Sequence, residues 1–112
     1  MAEGLHCYRT GQFFEAHEHW ELVWLTLAEP EKSFLQALVQ ISAAFHHLGR
    51  ENRIGAISLL ARSLRRLDAS PAAFCYIDVE SLREQVRNWL GALREGEELP
   101  GAVPDFRVIS GS

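Results

Sequence analysis

The sequence predicts an all-α fold: a compact bundle of four main helices with a short N-terminal lead-in and an extended C-terminal tail. Three observations carry this. Apolar residues recur at helical spacing in four long segments. Glycine, proline and capping residues punctuate the gaps, at Thr10–Gly11, Pro30, Gly49 to Asn52, Ser70–Pro71 and Gly96. The chain of 112 residues has the length of one domain with a modest core. The reading is of a single helical domain over residues 1–112, with a motif-bearing core over 11–67 and a tail over 97–112.

Residues 1–10 read as a lead-in helix or turn, from which Leu5 and Tyr8 dock on the core. Thr10 is a candidate cap, and the first long helix is expected over residues 12–27. Ala28–Glu29–Pro30–Glu31 makes a turn, because proline disfavours helix at the residue before it. The second helix, over 31–48, is apolar almost all round from Phe34 to Phe45 and reads as a central, buried element. Its main stripe is Phe34, Ala37, Leu38, Ile41, Ala44, Phe45 and Leu48. A narrower stripe of Gln36, Gln40, Ala43 and His47 runs beside it, and Leu35 and Val39 fall on a half expected to be exposed. Gly49 reads as the C-terminal cap. Asn52 reads as the N-cap of a third helix over 53–67. That helix carries Ile54, Ile57, Leu60, Ala61, Leu64 and Leu67 at helical spacing, with Ser58, Arg62, Arg65 and Arg66 on its outer side. Residues 68–77 read as a loop, with Phe74, Tyr76 and Ile77 covering one end of the bundle. Asp78 is a good N-cap for the fourth helix, over 79–94, which buries Val79, Leu82, Val86, Trp89, Leu90 and Leu93. Glu80–Arg83 and Glu84–Arg87 are expected surface pairs. Gly96 stops the helix, and Leu99, Val103 and Phe106 are expected to strap the tail back.

The one strong chemical signal lies in the first long helix, Phe13–Phe14–Glu15–Ala16–His17–Glu18–His19–Trp20–Glu21–Leu22–Val23–Trp24. At about 100° per residue, Phe13, Trp24, His17 and Glu21 fall within one arc of roughly 80°. Phe14 and Leu25 flank it on one side and Trp20, Leu27, Ala16 and Val23 on the other. This phase puts His17 and Glu21 near the centre of the apolar face. A carboxylate there needs a partner. Four residues apart, the two side chains can meet. Carboxylate–imidazole pairs recur in metal shells and in acid–base sites, because the carboxylate fixes the ring and raises its basicity. A buried hydrogen-bond network is the structural alternative. Gln36, Gln40 and His47 also need partners if buried. Antiparallel packing of two helices joined by a short turn brings them toward His17 and Glu21.

Composition narrows the classes. A formal net charge of −4 argues against a general nucleic-acid binder. No apolar run approaches the roughly 18 residues of a membrane span. The N-terminus has no basic segment followed by an apolar one, so a cytoplasmic location is expected. Cys7 and Cys75 stand in no metal-type spacing and read as two free thiols.

The stretch Phe14–Glu15–Ala16–His17–Glu18, then Glu21 and Trp24, resembles the signature of the domain-of-unknown-function 309 family, His-x-x-x-Glu-x-x-Trp. The second helix is similar to that family as well, in Phe34 to Gln40, Ala43–Ala44, His46–His47 and Gly49. The resemblance covers residues 11–67, with Arg50–Glu51 displacing the glycine that often opens the third-helix motif. It implies a small all-helical domain and suggests a divalent transition metal held by the His/Glu motif. The ligands would be His17, Glu21 and His47, with Glu18 as a further candidate and Trp24, Gln36 and Gln40 in support. The alternative is a structural or protein-interaction module, with a homodimer as one form. Its candidate surfaces are the Arg62/Arg65/Arg66 face and the Leu35/Val39 half of the second helix. An acid–base enzyme built on His17 lacks a convincing nucleophile, Ser42 being the nearest hydroxyl.

Overall fold

The computed structural model describes residues 2–70, 73–74 and 77–105, with backbone alone for 2–5 and 73–74. It is an all-α bundle. The helices run α1 (Ala2–Arg9), α2 (Phe13–Trp24), α3 (Glu31–Gly49), α4 (Arg53–Asp68) and α5 (Val79–Glu95). Between α4 and α5, the expected loop contains a minimal antiparallel hairpin, with Ala73 opposite Asp78 and Phe74 opposite Ile77. Two residues per strand leave no alternating pattern to read. Cys75, Tyr76 and Phe106, named above, lie outside the described residues, as does the side chain of Leu5. Cys7 is a buried free thiol.

α3 is central. It packs against both α2 and α4, while α1 rests on α2 and α5 on α4. The nearly uniform apolarity of α3 follows from this. Leu35 and Val39, expected on an open half, are buried with Phe34, Leu38 and Ile41. Aromatic rings tie the layers together. Tyr8 meets Phe13 edge-on at 5.3 Å between centroids, Phe13 lies 5.7 Å from Phe45, and Phe45 meets Trp89 edge-on at 4.9 Å. The series spans α1, α2, α3 and α5, and such pairs add to the area each ring buries.

The termini of the helices are fixed largely as the capping residues dictate. Asn52 accepts from the Gly55 N–H at 3.0 Å and Asp78 accepts from the Ser81 N–H at 3.0 Å. A Cβ on Gly55 would meet the Asn52 Nδ2 at 2.6 Å, so a larger residue there would displace the capping side chain. Gly96 adopts the left-handed conformation that ends α5. Two expectations shift. Thr10 closes α1 rather than opening α2, its hydroxyl donating to the carbonyls of His6 and Cys7. Gly49 stays inside α3, and the left-handed residue is Glu51, at φ 61°. The Asn52 N–H returns to the His47 carbonyl at 2.8 Å and the Glu51 N–H to that of Leu48 at 3.0 Å. That pair of bonds is a Schellman cap with glutamate in the glycine position.

The tail after α5 is strapped down, as expected for Val103 but not for Leu99, which is exposed. Tyr8 donates to the Pro104 carbonyl at 2.6 Å, Trp89 Nε1 to the Ala102 carbonyl at 2.9 Å, and Gln85 exchanges two bonds with the Asp105 backbone. Burial pushes the Tyr8 hydroxyl far above the usual phenol range, with the Asp105 carboxylate adding to the effect. Tyr8 therefore serves as a neutral donor at any ordinary pH. Arg83 holds the end of α4, donating to the carbonyls of Leu67 and Ser70 and to Glu80. Its Nε lies 3.2 Å from Asp68, within ion-pair distance but outside hydrogen-bond alignment. Arg87 pairs with Asp68, not with Glu84. No helix among the described residues is long and apolar enough to cross a membrane.

Removing only the Tyr8 hydroxyl tests the strap. Tyr8→Phe leaves the ring in the core but strands the buried Pro104 carbonyl, and is expected to cost about 1 kcal/mol in urea unfolding. An unchanged midpoint would mean the tail does not depend on this bond.

Candidate functional site

α2 carries apolar side chains round more than one face, and burial selects among them. Taking Trp20 as reference, Phe13, Ala16, Val23 and Trp24 fall within about 60° of it. Ala16 and Trp20 are buried, and Phe13, Val23 and Trp24 pack against the core. Phe14, Glu18, Glu21, Leu22 and Leu25 lie roughly 100–160° away. Phe14, Leu22 and Leu25 are 50, 69 and 64 % exposed. His17 stands at the edge of the buried arc.

This corrects the phase read from the sequence. The buried arc centres near Trp20, not near His17 and Glu21, whose side chains are 30 and 55 % exposed. Magnitudes explain the choice. An indole that buries about 200 Å² brings roughly 5 kcal/mol at about 25 cal/mol per Å². A buried carboxylate costs several kcal/mol unless fully paired. Rotating α2 to bury Trp20 and release Glu21 satisfies both, and leaves Phe14, Leu22 and Leu25 outside.

Of the expected ligands, only His17 and Glu21 approach one another, with Nδ1 3.8 Å from Oε2. That is an ion-pair distance, too long for a hydrogen bond. His47 is elsewhere. Its Nδ1 lies 3.2 Å from the Asn52 amide nitrogen, within the cap that joins α3 to α4. The imidazole that α3 does present toward α2 is His46, 5.4 Å from the Phe14 ring, which also stacks on His17 at 6.5 Å. Glu18 is exposed and shares a shallow cleft of about 260 Å³ with Glu21, Leu22 and Leu25. Trp24 is covered by the Lys32 ammonium, 4.4 Å from its ring centre, and its buried Nε1 has no acceptor among the described residues. Gln36 is half-buried. Gln40 is buried, but beside Arg62, Arg65 and Arg66 of α4 rather than against α2. Ser42 donates to the Val39 carbonyl of its own helix at 2.9 Å. Among the described residues, no three His, Cys, Asp or Glu side chains come close enough together to hold a metal ion.

The outer face of α2 is therefore the feature the sequence reading missed. The signal was present: Phe13, Phe14, Ala16, Trp20, Leu22, Val23 and Trp24 are more apolar residues than one face of a three-turn helix can bury.

Fold and face together define a small all-α bundle with an acidic, partly apolar helix on its surface. The model of one family, domain of unknown function (DUF309), matches residues 1–59, more than half of the chain, and the chain belongs to that family. The matched segment takes in α1, α2, α3 and the start of α4. A search of curated proteins found no match.

The phase of α2 predicts an ordered pair of stability effects. Trp20→Ala is expected to cost about 3–5 kcal/mol, and Glu21→Ala less than about 0.5 kcal/mol, in urea unfolding at neutral pH. A Glu21→Ala cost near that of Trp20→Ala would restore the buried-pair geometry.

Proposed function

We propose that this domain is an interaction module that docks a basic amphipathic helix of a protein partner on the outer face of α2. One observation carries the reading: Phe14, Leu22 and Leu25 stand exposed on a helix whose charged groups are Glu15, Glu18 and Glu21, with no lysine or arginine. Single exposed apolar residues are ordinary, but three on one side of a helix are a patch. Each forgoes much of the roughly 1.5–3 kcal/mol that full burial of a leucine or phenylalanine provides. A partner helix with apolar anchors at i, i+4 and i+7 recovers that energy, and flanking arginines or lysines answer the three glutamates.

Metal binding has weaker support. His17 and Glu21 offer two ligands where three or four protein ligands are usual. A nucleophile for acid–base chemistry lacks support too, since the Ser42 hydroxyl is buried and committed to the Val39 carbonyl.

The test uses two synthetic helical peptides with the same leucine stripe, flanked by arginines in one and by glutamates in the other, read by fluorescence anisotropy. The arginine peptide is expected to bind and the glutamate peptide not. Leu22→Ser with Leu25→Ser is expected to weaken binding at least about tenfold, and Glu18→Arg with Glu21→Arg to invert the preference. Equal binding of both peptides, or of neither, contradicts the reading. So does a stable dimer in sedimentation that Leu25→Ser dissolves, since a second copy would then own the face.

A further inference from the structure

The tail lies in a seat made by two helices that pack on different neighbours, α1 on α2 and α5 on α4. Tyr8 and Arg9 form one wall, Gln85 and Trp89 the other. They hold the tail as a protein holds a bound peptide. Trp89 Nε1 donates to the Ala102 carbonyl and the Tyr8 hydroxyl to the Pro104 carbonyl. The Gln85 amide clamps the main chain of Asp105, accepting from its N–H at 2.9 Å and donating to its carbonyl at 3.2 Å. Main-chain bonds of this kind give affinity for an extended segment whatever its side chains, and pockets give the selectivity. Here the selective positions are Val103, packed against the core, Pro104, fully buried, and Asp105, paired with Arg9 at 3.0 Å. Proline suits its position, because it brings no N–H to be satisfied and keeps the residue before it extended.

The balance of contacts favours exchange of the occupant over an empty seat. The Tyr8 hydroxyl is buried, and departure of the tail takes the Pro104 carbonyl away from it, so a vacant seat is costly. The tail itself is lightly held. Glu97, Glu98, Leu99, Gly101 and Ala102 are exposed, and the Arg9–Asp105 pair is 45 and 60 % exposed. Burial is concentrated in Val103 and Pro104, while the entropy of ordering is spread along the whole segment. A segment with few buried apolar contacts and exposed polar ones opens locally while the rest of the fold stays closed.

We infer that the seat of Tyr8, Arg9, Gln85 and Trp89 is a peptide-recognition groove, filled in cis by the chain's own tail. In trans it takes an extended segment of a partner protein in which valine and proline are followed by an acidic residue. The seated tail defines that chemistry, since Val103, Pro104 and Asp105 are what the groove holds. Because the tail is tethered, it competes at high effective concentration and sets the affinity a partner segment must exceed. The groove shares no residue with the outer face of α2, so either proposal can fail alone.

Fluorescence anisotropy on the intact chain tests the assignment, with a labelled, amidated peptide of residues 101–105, Gly-Ala-Val-Pro-Asp, as the probe. Pro104→Arg puts a long charged side chain at a fully buried position and is expected to expel the tail while leaving the walls of the seat unchanged. The peptide is expected to bind Pro104→Arg at least about tenfold more tightly than wild type, where the tethered tail competes. Adding Tyr8→Phe or Gln85→Ala to that variant is expected to weaken the peptide about tenfold. A peptide with arginine in place of its proline is expected not to bind. Should Pro104→Arg be unfolded by itself, the peptide is expected to restore its helical circular dichroism, since a ligand of the folded state stabilises it. A peptide that binds neither chain, or that leaves an unfolded variant unfolded, overturns the inference and makes the tail a structural brace. Equal binding to wild type and to Pro104→Arg puts the peptide outside the groove and overturns it as well. A wild-type dimer in sedimentation that Pro104→Arg dissolves shows tails exchanged between two copies and overturns the choice of a partner protein.

Discussion

A three-turn helix can bury only one side, and α2 has apolar residues on more than one. That constraint shapes the surface of this domain. Trp20 and Ala16 occupy the buried side completely, with Phe13 packed between Tyr8 and Phe45. The same rotation carries Glu21 into solvent and leaves Phe14, Leu22 and Leu25 beside it. The acidic apolar face is thus a direct consequence of the packing that holds α2 on α3. Those three side chains keep half or more of their surface exposed, so the packing of the core does not by itself account for them.

Polar groups elsewhere are used to join elements. The Tyr8 hydroxyl connects α1 to the tail, Arg53 connects the start of α4 to the end of α5, and Arg83 closes α4 from across the bundle. His47 belongs to this set, since its ring sits at the cap between α3 and α4 with Asn52. A histidine committed there is not available to His17 and Glu21.

The fold was legible because its signals are local. Helical spacing identified the four long helices, and Asn52, Asp78 and Gly96 act at the positions their chemistry prefers. Errors arose where a choice depended on tertiary contact. Gly49 looked like a helix stop, but α3 runs through it and Glu51 takes the left-handed position that closes the Schellman bonds. The α2 phase was ambiguous because two overlapping arcs were both apolar, and only the core decides between Trp20 and the His17/Glu21 pair. Gln40 was assigned to the α2 side because α3 is apolar almost all round, and its neighbours depend on how α4 lies against α3. The hairpin at Ala73–Phe74 was too short to leave a pattern.

The rotation of α2 is the central claim, and methyl NMR with a soluble gadolinium chelate reads it directly. The account predicts strong relaxation of the Leu22 and Leu25 methyls, comparable to that of exposed Ile54, and protection of Leu38 and Ile41. Protected Leu22 and Leu25 methyls in the monomer would contradict it. The buried arc would then lie elsewhere, and the outer face of α2 would no longer be a docking surface.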